Sequence, residues 1–175
     1  MRAIPHEIDT IVDEPNAPEP EPEPSLGELF AERYRIDRCI GRGSMGTVYA
    51  AHDRVVDEMV ALKLLATPSE RALERFRQEV RLARRVTHRN AARTFDLGQF
   101  AGAHFITMEL VGGESLRVRI ARGRRLPVHE ITEITRQVCL GLQAAHDVGV
   151  IHRDLKPSNI LVDGARAVIT DFGVA

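Results

Sequence analysis

The chain has 175 residues, 43% hydrophobic and 28% charged, with a formal net charge of −1. That length holds one ordinary domain or part of a larger one, and the composition is that of a soluble globular protein, which excludes fibrous and low-complexity classes. Residues 1–33 carry nine acids against two bases, so the remainder is net positive by six, a balance that suits a solvated surface or a bound phosphate and does not by itself call for nucleic acid.

In chain order, the segment 1–33 is acidic and proline-rich and ends in a Pro/Glu alternation from Pro18 to Pro24. Like charges repel, proline locks φ, and few apolar groups offset the ordering entropy, so a disordered or polyproline-like spacer is expected, with folded structure starting near Tyr34. "YRIDRCIG", "GTVYAAHD" and "EMVALKLL" then read as three short strands of an antiparallel meander. Thr67-Pro68-Ser69-Glu70 supplies helix-start signals, and Leu73, Phe76, Val80 and Ala83 recur at helical spacing. "ARTFDLG" and "HFITMEL" read as two more strands, and "VGGESLRVRI" as a glycine-broken link into a short helix. From about Val128 to His146 a longer helix places Ile131, Ile134, Val138, Leu142 and Ala145 on one face, ended by Gly149. The polar loop "IHRDLKPSN", two short strands "NILV" and "AVIT", and "DFGVA" complete the chain.

Cys39 and Cys139 form no CxxC pair or disulfide framework, which fits a reducing cytoplasm. The seven histidines are scattered without an HExxH motif, so no structural zinc site is expected. No apolar run approaches the ~20 residues of a membrane helix. Basic side chains are written almost wholly as arginine, with 22 Arg against two lysines, Lys63 and Lys156. Arginine is a wide planar fork and lysine a compact point charge, so the two exceptions are candidate site residues.

Gly41-Arg42-Gly43-Ser44-Met45-Gly46 matches GxGxxG, but strand-like sequence follows it, unlike a dinucleotide-binding turn. A glycine hairpin between strands can fold over a nucleotide because missing side chains let backbone N–H groups approach phosphate oxygens; a plain turn is the alternative. Lys63 lies in an otherwise apolar strand and needs water or an anion. An ion pair with Glu79 on the first helix would aim its ammonium at phosphates, although each residue taken singly also reads as surface charge. Asp154, Lys156 and Asn159 share a loop, with Asp171 beyond. Together they offer a carboxylate to accept a hydroxyl proton, a cation for a γ-phosphate, and hard oxygens for Mg²⁺.

In combination, GxGxxGxV from Gly41 to Val48, VALK, a helical Glu, HRDLKPSN and DFG stand in the order and spacing of the protein-kinase signature. The sequence resembles the eukaryotic-like (Hanks-type) serine/threonine protein kinases, and its Arg-rich usage resembles a bacterial member. The resemblance implies an α+β, protein-kinase-like fold: a β-rich N-lobe over 34–108, a hinge at 109–113, and the start of a helical C-lobe over 114–175. It implies ATP and Mg²⁺ as cofactors, with Mn²⁺ as an alternative metal. Gly41, Gly43 and Gly46 would cover the phosphates, with Val48 and Ala61 against adenine, and Ile40, Arg42, Ser44, Met45 and Thr47 would also belong to the cofactor-binding set. Met108 would be the gatekeeper, Glu109 to Val111 the adenine-binding hinge, and Glu114 the ribose contact. Lys63 paired with Glu79 would hold the α/β-phosphates, Asp154 would be the catalytic base, Lys156 would meet the γ-phosphate, and Asn159 and Asp171 would hold the metal. Ala83, Phe95, His152 and Phe172 would form an apolar spine between lobes.

Lysine after "HRDL" favours Ser/Thr hydroxyls of a protein substrate as acceptor, and a second copy is a candidate dimer or autophosphorylation partner. "HRNA" at His88 to Ala91 departs from the family's "HPNI". Relative to the family the chain stops shortly after DFG, so its long helix is expected to expose an apolar face. The chain alone is expected to transfer phosphate weakly or not at all. The alternative is a non-catalytic nucleotide-binding, regulatory or scaffold chain.

Overall fold

Alternating apolar residues at the start of the fold build a curled antiparallel sheet with two different faces. The computed structural model describes residues 24–43, 46–65, 70–123 and 125–172, with the side chains of 70–72 and 75 excepted. The first sheet holds β1 (Leu29–Phe30), β2 (Tyr34–Gly43), β3 (Gly46–Asp53), β4 (Glu58–Leu65), β5 (Thr94–Phe100) and β6 (Ala103–Glu109), in the order β1-β2-β3-β4-β6-β5. All its pairings are antiparallel. One face packs Phe30, Tyr34, Ile36, Tyr49, Leu62 and Phe105 together. The other presents Ala61, Leu65, Ile106 and Met108 to Val80 and Phe76 of α1 (Glu70–Ala83). A period of two sorts the side chains this way, so one strand such as β4 feeds both cores.

Folded structure starts before the expected Tyr34. Leu29 and Phe30 pair with Arg35 and Tyr34, and Phe30 is 2% exposed with its ring edge-on to Phe100 and Phe105. An aromatic side chain that buries this much apolar surface outweighs the polar character of the segment around it. Residues 1–23, and the expected helix start at Thr67 to Ser69, lie outside the described residues.

The second layer follows the hinge. A small sheet joins β7 (Glu114–Ser115), β8 (Ile160–Asp163) and β9 (Arg166–Ile169), next to α2 (Leu116–Ala121) and α3 (Val128–Asp147). The α3 face expected to lie bare is largely covered: Ile134, Val138 and Ala145 are buried in one cluster with Val150, Ile160, Val162 and Ile169, and Leu142 packs against it. The chain's own β8–β9 hairpin supplies the cover, a contact that helical periodicity alone does not reveal. Ile131 stays 47% exposed.

A buried polar network pins this layer to the first. Asn90 donates from Nδ2 to Gln137 Oε1 and to the Ala167 carbonyl, both at 2.7 Å, and Gln137 Oε1 also accepts from the Ala167 N–H at 2.8 Å. The Ala92 and Ile169 N–H groups donate to the Ile169 and Asn90 carbonyls, at 2.8 and 2.9 Å. Buried polar atoms are tolerated only when paired, and these are paired by segments far apart in sequence, so the network fixes β9 and the site residues that follow it.

Candidate active site

The glycine motif lies on the β2–β3 hairpin. Gly43 stands opposite Gly46, with Ser44 and Met45 outside the described residues. Gly46 has φ +126°, and a Cβ there would fall 1.8 Å from the Leu64 carbonyl oxygen, so only glycine lets the hairpin lie this close to β4. Gly41, Arg42, Gly43 and Thr47 lie along the paired strand ends, and Ile40 is 44% exposed beside them. Below, Ala61 pairs with Met108 and Val48 with Lys63, which places all four on the face shared with Ile106. The predicted adenine residues and the lysine therefore meet on one wall.

Behind that wall, the chain crosses between layers at residues 109–113. The Glu109 carboxylate is committed to structure: Oε1 accepts from Arg166 at 2.8 Å and Oε2 from the Arg93 N–H at 3.2 Å. Leu110 and Val111 enter no backbone hydrogen bond among the described residues, so their main-chain groups remain able to meet a planar, hydrogen-bonding edge. Gly113, with φ +78°, passes so close to β8 that a Cβ would lie 2.1 Å from the Val162 carbonyl oxygen. Glu114 accepts from Arg122 at 3.0 Å through Oε1, while its buried Oε2 has no hydrogen-bond partner among the described residues.

In the second layer, the loop after α3 gathers the polar residues. His152, 2% exposed, donates from Nε2 to the Thr170 carbonyl at 2.8 Å and accepts the Asp154 N–H at Nδ1. Its ring lies 4.9 Å from that of Phe172, so the histidine orients the loop against the segment carrying Asp171. Asp154 Oδ2 accepts from Lys156 Nζ at 2.6 Å, and Asn159 Nδ2 donates to the Asp154 carbonyl at 2.9 Å and to Oδ2 at 3.3 Å. The hydrogen bond from Lys156 lowers the Asp154 pKa below its ordinary value, with Asn159 adding to the effect, so the carboxylate is ionised at neutral pH and able to accept a proton.

The charges between the layers pair differently from the sequence expectation. Lys63 Nζ donates to Asp171 Oδ1 at 2.7 Å, and Glu79 Oε1 accepts from Arg153 Nη1 at 2.5 Å. The Lys63–Glu79 pair is therefore not formed. Lys63 is 5% exposed and cannot be left without a carboxylate, and Asp171 provides one, while the long, exposed Arg153 side chain reaches across to the helix. Arg153 and Asp171 both have left-handed backbone, with φ +65° and +60°. Such conformations cost about 1–2 kcal/mol for a residue with a Cβ and persist where the surroundings enforce them.

Asn159 and Asp171 fit a hard cation. The Thr170 N–H donates to the Asn159 carbonyl at 2.9 Å, which holds the two segments side by side. Asn159 turns its NH₂ toward Asp154, leaving the amide oxygen with only a 3.3 Å bond from Ser158. No group of three or more His, Cys, Asp or Glu side chains is assembled among the described residues. A two-residue oxygen set suits Mg²⁺, which keeps waters and takes phosphate oxygens as its other ligands.

One spine residue is corrected. Ala83 and Phe172 share a buried cluster, but Phe95 packs on the opposite face of the sheet with Phe30 and Tyr34. A register shift between Thr94 and Asp96 inverts the alternation, so Leu97 is the β5 residue that packs with Phe76 and Val80. A bulge leaves no clear sequence signal here. The Arg153 contact to Glu79 was equally hidden, because it joins residues 74 apart in sequence.

Comparison with known proteins identifies the family. Residues 34–175 match the protein kinase domain family. The chain is 39% identical over 155 residues to a probable serine/threonine-protein kinase PknB of Lactococcus lactis, covering 86% of this chain and 25% of that protein. The Mycobacterium tuberculosis PknI kinase domain superposes with a TM-score of 0.77 at 31% identity, covering 86% of this chain and 63% of that one. Rad53 (1–466) in complex with AMP-PNP superposes with a TM-score of 0.71 at 28% identity, covering 82% and 39%. The chain thus spans about a quarter of the length of the PknB relative. The chain has the protein kinase fold and belongs to the protein kinase domain family, alongside bacterial serine/threonine kinases.

Proposed function

We propose that the cleft binds ATP with Mg²⁺ and that its residues serve phosphoryl transfer to Ser or Thr hydroxyls of a protein. The observation that carries this reading is the Asp154–Lys156–Asn159 loop, held by His152 beside Asp171. Asp154, ionised and next to the cleft, accepts the proton of an attacking hydroxyl, and Lys156 neutralises the γ-phosphate from the same loop. Lys63 meets the α- and β-phosphates from the sheet wall, with Val48, Ala61 and Met108 against adenine and the main chain of Glu109 to Val111 on its edge. Gly41, Gly43 and Gly46 bring backbone N–H groups over the phosphates, and Glu114 Oε2 is an acceptor for a ribose hydroxyl. Mg²⁺, held by Asn159 and Asp171, supplies neutralisation of charge on the phosphate oxygens. AMP-PNP in the complex of the similar Rad53 supports a triphosphate occupant.

A second reading is a chain that binds nucleotide without transferring phosphate. It is favoured by the pairing of Lys63 with Asp171 and of Glu79 with Arg153, which leaves the four charges turned on one another. Incubation with radiolabelled ATP, Mg²⁺ and a basic Ser/Thr-containing protein separates the two. Label on serine or threonine that disappears in Asp154→Asn supports transfer, binding without label supports the second reading, and neither binding nor label rejects both.

A further inference from the structure

We infer that two adjoining cavities between α2 and the start of α3 are the docking site for residues 4–14 of the same chain. From Leu116 to Leu126 the sequence carries five arginines and no acid, and α2, which supplies more than half of this stretch, has no buried residue. Leu116, Ile120, Leu126, Ile131 and Ile134 line an apolar cavity of about 550 Å³, with Ile120 51% and Ile131 47% exposed. Next to it, Arg119, Arg122 and Arg125 line a polar cavity of about 690 Å³ together with Glu114 and Glu130. Arg125 and Leu126 belong to both cavities, so one segment can lie across the two. Arg119 is paired with Glu130 and Arg122 with Glu114, whereas Arg125 has no ion pair among the described residues. The polar cavity is left with one uncompensated positive charge beside exposed apolar surface, which fits an occupant that is both acidic and apolar.

The chain carries a sequence of that chemistry. In "IPHEIDTIVDE", Ile4, Ile8, Ile11 and Val12 recur at the spacing of one helix face, flanked by Glu7, Asp9, Asp13 and Glu14, and no Lys or Arg occurs from Ala3 to Pro24. Pro5 suits a first helical turn, and Pro15 ends the pattern. Eleven residues are too few to hold a helix alone in water, so such a segment depends on a surface that takes its apolar face. A groove with an apolar floor and a basic rim is that surface. The isoleucines fill the cavity lined by Ile120 and Ile131, and the carboxylates accept paired bonds from the guanidinium forks beside it. The Pro/Glu run that follows keeps its role as a spacer. Residues 15–23 would span about 28 Å as polyproline, roughly twice the radius of gyration of a fold of this size, so segment and groove of one molecule meet at high effective concentration.

Photo-crosslinking of the 175-residue chain tests this, with Thr10→p-benzoylphenylalanine as the probe and peptide mass mapping as the readout at low ionic strength. Crosslinks within one chain to residues 116–135 are the expected result. Their yield should fall about tenfold when Ile8→Asp puts a charge into the apolar contact. It should fall about three- to fivefold in Arg125→Glu, the scale of an exposed charge contact. Arg125→Glu removes no ion pair of the fold, and thermal melts verify that each variant folds. Crosslinks that map elsewhere, that join two copies, or that keep their yield in either variant overturn the inference, as does the absence of crosslinks.

Discussion

At the outer corner of the sheet, Asp53 takes both carboxylate oxygens to one guanidinium, Arg33, at 2.9 and 2.6 Å, and accepts the Val55 N–H at 3.0 Å. In the cleft, Lys63 and Asp171 meet across 108 residues and Arg153 and Glu79 across 74. The corner pair joins neighbouring strand ends, has a bidentate geometry, and has the Arg33 guanidinium 5.0 Å above the Tyr34 ring. The other two pairs join separate layers. Charge placed in one way secures a sheet corner, and in the other it ties the two layers together.

Substitutions should separate these two uses of charge. The largest effect belongs to the cleft: Asp154→Asn is expected to lower phosphoryl transfer by about 10²–10⁴-fold, the usual contribution of a positioned base, without changing the melting temperature much, as radiolabel and thermal assays would show. At the corner the order reverses. Arg33→Ala leaves the 3% exposed Asp53 without its partner and should cost roughly 2 kcal/mol in denaturant unfolding, with nucleotide affinity unchanged. The hydrogen bond from Arg33 lowers the Asp53 pKa below its ordinary 3.8, so this stability is fully present above that pH and is lost as pH falls through the folded-state value. The penalty of Arg33→Ala should shrink over the same acid range. The smallest effect is expected for Arg84→Ala, which removes an exposed 3.4 Å pair with Asp96 and should cost about 0–1 kcal/mol.

Much of this architecture was legible from residue order. The strands from Tyr34 onward and α3 lie within a few residues of their expected limits, because period-two and period-3.6 patterns are strong in these segments. The grouping of Lys63 with Asp171, and of Asp154 with Lys156 and Asn159, follows residues that motif spacing had singled out, and their service to phosphate is the proposal made above. What escaped depends on three-dimensional neighbours. Phe30 reads as part of a polar arm until its ring is seen against Phe100 and Phe105. The bulge at Thr94–Asp96 turns Phe95 away from the spine and brings Leu97 in. Asn90 stands in a turn whose departure from the family pattern suggested only a connector, yet it is 1% exposed and ties α3 to β9 through Gln137. The partner of Glu79 could not be read from spacing either, since Arg153 stands 74 residues away in sequence.

Under the proposed function, Lys63 faces nucleotide phosphates beneath the glycine hairpin. Calorimetric titration of Mg²⁺·AMP-PNP into the wild-type chain and into Lys63→Met tests it most directly. Saturable binding to the wild type, at least tenfold weaker in a folded Lys63→Met, is the predicted result; equal affinity in both, or no saturable binding to the wild type, would contradict it.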